Sequence, residues 1–71
     1  MHKNFGAVLK TLRKQQNLSQ ECLAFNSSLD RTYISILERD IKKPGYDTII
    51  ALSAGLGIKA SELFKHLEEH D

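Results

Sequence analysis

The sequence predicts an all-α fold, a compact bundle of five short helices, from three observations. Apolar residues recur at three- and four-residue spacing in successive short segments, and those segments are separated by polar, glycine or proline positions suited to turns. No segment alternates apolar and polar residues in the manner of a strand, and no internal repeat is present. Length adds the third constraint, because 71 residues support one modest hydrophobic core. Residues 1–71 are therefore expected to form a single domain whose function sits on its surface.

The first helix is predicted near residues 3–16, where Phe5, Val8, Leu9 and Leu12 share a face and Lys10, Arg13 and Lys14 are interleaved. Asn17 suits the left-handed or turn position that ends it. Ser19 opens the second helix, since its hydroxyl can accept from the exposed amides of the first turn, and Leu23 and Ala24 face inward. Asn26-Ser27-Ser28 closes that helix, with Leu29 beside it as an apolar plug. Asp30 reads as the N-cap of a third helix running to about Arg39, with Ile34 and Leu37 on its buried side. Two short helices joined so tightly must cross steeply, which is helix-turn-helix geometry.

Asp40 to Gly45 read as a loop, because Pro44 disfavours helix at Lys43 and Gly45 relaxes the backbone. A fourth helix is predicted from about Tyr46 to Ala54, burying Ile49, Ile50 and Leu52 in some combination. Gly55 and Gly57 allow its end and a sharp turn. The fifth helix, near residues 60–69, carries Leu63, Phe64 and Leu67.

Composition excludes several classes. Hydrophobic residues make up 41% of the chain and charged residues 27%, an ordinary globular balance. No apolar run approaches the roughly 18 residues of a membrane span, and Met1-His2-Lys3 lacks the apolar stretch of a secretory signal. A cytoplasmic location without membrane contact is the expectation. Cys22 is the only cysteine, so an internal disulfide and a cysteine zinc cluster are excluded. A packed or indifferent role for Cys22 is favoured over redox sensing. His2, His66 and His70 lie near the chain ends; His66 and His70, four apart, can share a helix face, with tail solvation the favoured role. No nucleophile–base spacing or metal set is present, so neither enzyme activity nor a cofactor or metal is expected.

The net charge is only +1, yet it is unevenly placed. Residues 1–43 hold Lys3, Lys10, Arg13, Lys14, Arg31, Arg39, Lys42 and Lys43 against Glu21, Asp30, Glu38 and Asp40. The remainder holds Lys59 and Lys65 against Asp47, Glu62, Glu68, Glu69 and Asp71. A basic front and an acidic tail suit a protein that presents one side to a polyanion.

Leu18-Ser19-Gln20-Glu21, then Leu23-Ala24, then Leu29-Asp30-Arg31-Thr32-Tyr33-Ile34-Ser35 and Leu37-Glu38-Arg39 resemble the lambda-repressor-like helix-turn-helix family of the xenobiotic-response-element type. The resemblance runs over residues 5–64 and continues through Lys43-Pro44, Leu56-Gly57-Ile58 and Glu62-Leu63-Phe64. Within that family the chain most resembles the controller proteins of restriction-modification systems, and Phe25-Asn26-Ser27-Ser28 is similar to their version of the turn. The resemblance implies a five-helix lambda-repressor-like bundle and a small dimeric regulator of promoter operators. Three departures stand out. Ile36 stands where controllers often carry glycine, Gly45 replaces the serine that often caps the fourth helix, and Lys59 replaces the usual cap of the fifth. Glu62 is retained at the reciprocal position of that last cap. Each lost cap costs about 1 kcal/mol, and a glycine cap less.

The resemblance places the third helix, about residues 30–39, in the major groove. Arg31 is the first base-reading candidate, because its planar fork can bond two acceptors of guanine, and Thr32 can exchange a hydrogen bond or set its methyl against thymine. Ser35 and Ile36 lie one turn further on. For Ile36, contact with a neighbouring side chain or a dimer surface competes with contact to a thymine methyl. Gln20, Tyr33, Arg39, Lys42 and Lys43 are candidates for the DNA backbone. Packing competes for Tyr33, and a solvated charge pair for Lys42 and Lys43. Arg13 and Glu38 are implied to pair between the first and third helices, holding the recognition helix without reading bases.

One short helix reads only a few base pairs, so a C2 homodimer on two half-sites about 34 Å apart is expected. Leu56, Ile58, Leu63 and Leu67 are candidates for its interface; membership of the monomer core competes, and is favoured for Leu63. The expected function is a sequence-specific transcriptional regulator acting on double-stranded operator DNA, as activator or repressor. Activation would require an RNA polymerase contact, to which Glu38 and neighbouring acidic residues are candidate contributors. The alternative is an antitoxin-like or other protein-interaction module with secondary DNA binding.

Overall fold

In the computed structural model, which describes residues 5–69, the apolar spacings resolve into five helices: α1 (Phe5–Gln15), α2 (Gln20–Ser27), α3 (Arg31–Glu38), α4 (Tyr46–Leu56) and α5 (Ala60–Glu69). Residues 3 and 4 of the predicted first helix, with His2 and His70, lie outside the described residues. Each helix contributes a pair or trio of side chains to one core: Val8, Leu9 and Leu12, Leu23 and Ala24, Ile34 and Leu37, Leu52 and Leu56, and Leu63 and Leu67. Phe5, Leu18, Leu29, Tyr33, Ile49 and Ile58 pack around it, half-buried. Helix α2 lies between α3 and α4, while α1 spans α3 and α5.

Two large apolar residues of α4 and α5 lie outside the core. Phe64 is 40% exposed and Ile50 38% exposed. At 3.6 residues per turn, Phe64 is rotated about 100° from Leu63 and so leaves the narrow Leu63–Leu67 stripe that the neighbouring helices cover. Leu52 similarly takes the inward position of α4, leaving Ile49 half-buried.

Helices α1 to α4 end in the same way. A left-handed residue follows each one, Asn17 (φ 59), Ser28 (φ 57), Asp40 (φ 58) and Gly57 (φ 72). The next amide then reaches back five residues: Leu18 to the Arg13 carbonyl, Leu29 to Ala24, Ile41 to Ile36 and Ile58 to Ser53, all at 2.9–3.1 Å. This is the Schellman pattern, which satisfies carbonyls that the helix itself cannot, and each returning residue is apolar. Asn17 and Gly57 were legible as such positions; Asp40 is of a type that tolerates the left-handed region as asparagine does, and Ser28 adopts it at a greater steric cost.

The helix starts are less uniform. Ser19 caps α2 as expected, its hydroxyl accepting from the Cys22 amide at 2.9 Å. Asp30 occupies the N-cap position of α3 with extended backbone, but its side chain makes no cap hydrogen bond, which corrects the capping role read from the sequence. At α5 the Glu62 carboxylate accepts from the Lys59 amide at 2.9 Å, so the reciprocal half of the capping box persists without its partner. The start of α1 is held from a distance, the Gly6 amide donating to the Asp40 carboxylate at 3.0 Å.

Two glycines permit close approach. A Cβ on Gly6 would collide with the backbone carbonyls of Leu37 and Glu38, so Gly6 lets α1 lie directly against the end of α3. A Cβ on Gly55 would collide with the Ser27 hydroxyl. Gly55 is thus a contact between α2 and α4 rather than a terminator, and α4 runs on to Leu56 instead of stopping near Ala54. The Ser27 hydroxyl is buried there without a hydrogen-bond partner.

Candidate nucleic-acid interface

Helix α3 is eight residues long and has two distinct sides. Ile34 and Leu37 are fully buried, which anchors one side in the core. Reckoned at 3.6 residues per turn, Arg31, Ser35, Arg39, Thr32 and Ile36 fall in that order across an arc of about 140° on the opposite side. Arg31, Thr32 and Arg39 are exposed, whereas Ser35 and Ile36 are half-buried. All four candidate base readers therefore share one outward surface. Tyr33 lies outside that arc, half-buried against the core. Arg39 folds back along the helix, its Nε donating to the Ser35 carbonyl at 3.3 Å. Lys42 and Lys43 are exposed in the loop that follows.

A continuous polar chain supports the edge of this surface. Arg13 of α1 forms a two-pronged ion pair with Glu38 of α3, Nε to Oε2 at 2.6 Å and Nη2 to Oε1 at 3.1 Å. Its Nη1 donates to the Leu18 carbonyl at 2.8 Å. The two side chains are only 9% and 3% exposed, so the pair is a buried one. A planar guanidinium with several fixed donors suits such a site, because each donor finds an acceptor in the geometry it requires. Gln20, the first residue of α2, donates from Nε2 to Glu38 Oε1 at 3.0 Å. Its Oε1 in turn accepts from Arg31 Nη1 at 3.2 Å. Arg31 and Glu38 are seven residues apart, which brings them within about 20° of one another around the helix and lets one amide reach both.

The interface candidates for a dimer need correction. Leu56, Leu63 and Leu67 are 1%, 0% and 9% exposed and belong to the monomer core. Side chains already enclosed by their own chain have almost no surface to offer a second copy, so Leu56 is removed from that role, Leu63 takes the core place favoured for it, and Leu67 retains only a sliver. Ile58 is half-buried. The apolar surface that α4 and α5 do expose comes from Tyr46, Ile50 and Phe64. Glu38, enclosed by Arg13 and Gln20, is likewise withdrawn from any polymerase-facing surface.

Sequence reading missed the link between Gln20 and Arg31. The seven-residue spacing of Arg31 and Glu38 was a signal for their shared edge, but only the crossing of α2 over α3 brings Gln20 to it. Gln16 was also unremarked, and its amide donates to the Leu56 carbonyl at 2.6 Å, closing the end of α4. Cys22 is exposed on α2, and His66 is half-buried on α5. Among the described residues, no helix is long and apolar enough to cross a membrane.

The protein class follows from this two-sided helix and its supporting partner: residues 9–63 match the helix-turn-helix family, and the chain belongs to it. More particularly, its likeness in both sequence and fold is to restriction-modification controllers. The chain is 46% identical over 66 residues to the control protein C.MunI of a Mycoplasma species, covering 92% of this chain and 89% of that protein. It is 40% identical over 60 residues to the control protein C.BamHI of Bacillus amyloliquefaciens, covering 83% and 74%. Among solved structures, the restriction-modification controller C.AhdI from Aeromonas hydrophila superposes with a TM-score of 0.81 at 43% identity, covering 86% of this chain and 92% of that one. The controller C.Esp1396I, solved bound to a 19-base-pair DNA duplex, gives a TM-score of 0.87 at 31% identity, covering 96% and 91%.

Proposed function

We propose that this protein is a sequence-specific regulator of transcription that binds double-stranded operator DNA as a homodimer, in the manner of restriction-modification controllers. Its work is binding rather than catalysis. The observation that carries the reading is the outward arc of α3, which sets Arg31, Thr32, Ser35 and Ile36 together while Ile34 and Leu37 fix the opposite side in the core. Arg31 is the principal base reader, suited to the paired acceptors of guanine, and Ile36 supplies apolar contact. Arg39, Lys42 and Lys43, with the Tyr33 hydroxyl at the rim, engage phosphates and set the register. Residues 1–71 act as one domain, and while bound to DNA the protein resides in the nucleoid.

The dimer surface is assigned to Tyr46, Ile50 and Phe64, the large apolar side chains that α4 and α5 leave exposed, with half-buried Ile58 in the turn between them. Two copies related by a two-fold axis would set their recognition helices on half-sites about one helical turn apart. Activation requires a further contact with RNA polymerase on a surface that remains exposed in the DNA complex.

The test is binding-site selection from a random duplex pool at about 0.15 M salt, near physiological ionic strength, with complexes sized on the enriched sequence. The expected result is an inverted repeat bound by two chains. Enrichment of no motif would overturn the regulator reading and favour a protein-interaction module; a single half-site bound by one chain would overturn the dimer.

A further inference from the structure

We propose that Gln20 is a positioning residue for Arg31, so that α2 contributes to base discrimination through the orientation of one side-chain amide. The proposal rests on Arg31 being a base reader. Its structural basis is the alternation of donors and acceptors from the buried ion pair to the protein surface.

Glu38, as a carboxylate, only accepts hydrogen bonds, and a guanidinium only donates them. An amide does both, one function at each end. The end of Gln20 that faces Glu38 must be its NH2 group, as the 3.0 Å contact to Oε1 requires. Its carbonyl oxygen is thereby turned the other way, toward α3, where Arg31 Nη1 donates to it at 3.2 Å. Reversing the amide would set oxygen against carboxylate and NH2 against guanidinium, two repulsive contacts in place of two attractive ones. Glu38 is itself held by both prongs of Arg13. A fixed order of donors thus runs from the core to an exposed arginine, and it determines which way the Gln20 oxygen points.

The consequence for Arg31 is restraint before DNA arrives. An exposed arginine ordinarily samples many rotamers, and ordering such a side chain at an interface costs about 0.5–1.5 kcal/mol, or roughly two- to twelvefold in affinity. One guanidinium donor engaged by Gln20 leaves the others available to a base edge. The restraint favours the base that fits the held orientation, so its loss reduces discrimination at the base pair that Arg31 contacts more than it reduces binding elsewhere. An amide nitrogen carries two hydrogens, so a contact from Gln20 to a phosphate is compatible with this arrangement. Phosphate contact alone, however, would be indifferent to sequence.

The experiment uses the full chain, the duplex that it enriches from a random pool, and the same duplex with each base pair replaced in turn. Arg31→Ala first identifies the base pair at which preference depends on Arg31. Gln20→Met keeps the length of the side chain but removes donor and acceptor; folding is verified by circular dichroism. Its expected effect is a two- to twelvefold loss of discrimination at the Arg31 base pair, with no further loss when it is added to Arg31→Ala. Gln20→Glu sets a carboxylate against Glu38 in place of the donor, so it is expected to lose discrimination at the Arg31 base pair as Gln20→Met does, and in addition to bind all duplexes more weakly through repulsion from phosphate. A uniform loss of affinity by Gln20→Met with discrimination intact would overturn the positioning role and leave a phosphate contact. If Arg31→Ala leaves every preference unchanged, the base-reading assignment falls and the proposal with it.

Discussion

Removal of the Glu38 carboxylate is the most demanding test of how the recognition helix is held. In Glu38→Ala the Arg13 guanidinium loses two of its three acceptors and keeps only the Leu18 carbonyl. With the Arg13 side chain 9% exposed, water cannot readily replace what is lost. Breaking a buried pair from one side typically costs about 3–5 kcal/mol, because a charge is left uncompensated. A 71-residue domain has a total stability of roughly 4–11 kcal/mol at the usual 0.05–0.15 kcal/mol per residue. The substitution should therefore remove about half of it. Replacing both partners with apolar residues, Arg13→Met with Glu38→Leu, should return stability to within about 1 kcal/mol of the parent, since desolvation of the pair offsets most of its attraction. The assay is urea unfolding followed by far-ultraviolet circular dichroism, at one fixed protein concentration because dimerisation contributes to apparent stability. A Glu38→Ala midpoint corresponding to less than about 1 kcal/mol of destabilisation would instead show that Arg13 finds other acceptors and that the pair does not hold α3 in place.

Three further outcomes follow from helix ends and packing, each read by the same unfolding assay. Ser19→Ala should cost about 1 kcal/mol, because it removes the acceptor of the Cys22 amide, whereas Asp30→Ala should cost much less because no cap bond is lost. Equal losses at the two positions would contradict the cap assignments. Ser28→Gly should stabilise by about 0.5 kcal/mol, relief of left-handed strain being partly offset by the entropy of the unfolded chain. Asp40→Gly should instead destabilise, since its carboxylate also holds the Gly6 amide. Gly6→Ala should cost about 2 kcal/mol or more, because the new methyl must displace the backbone of Leu37 and Glu38 rather than a side chain.

Much of the architecture is legible in the sequence. The spacing of Val8, Leu9 and Leu12 and of Ile34 and Leu37 specified the inner faces of α1 and α3, because a 3.6-residue period leaves few alternatives for which face is buried. Ser19 identified the start of α2 through local chemistry alone. Asp30 identified the start of α3 equally well, as its N-cap residue, but its side chain forms no cap bond. The four Schellman endings were half visible: Asn17 and Gly57 were legible as left-handed positions, whereas Ser28 is followed by Leu29 packed against the core and Asp40 is tied by its carboxylate to the Gly6 amide, contacts that span separate helices.

The helical register, the outward arc of α3 and the residue types able to read a base follow from local sequence, because each depends on neighbours within a few positions of the chain. Tertiary structure decided what depends on two helices meeting. Leu56 entered the core instead of the dimer surface because α4 packs against α2 and α5, and a period-based reading cannot tell a core contact from one with a second copy. Gly55 became a packing contact because Ser27 lies against it. The junction of Gln20 with Glu38 and Arg31 exists only where α2 crosses α3: hydrogen bonds act over about 3 Å, and sequence spacing does not reveal which distant side chains approach that closely.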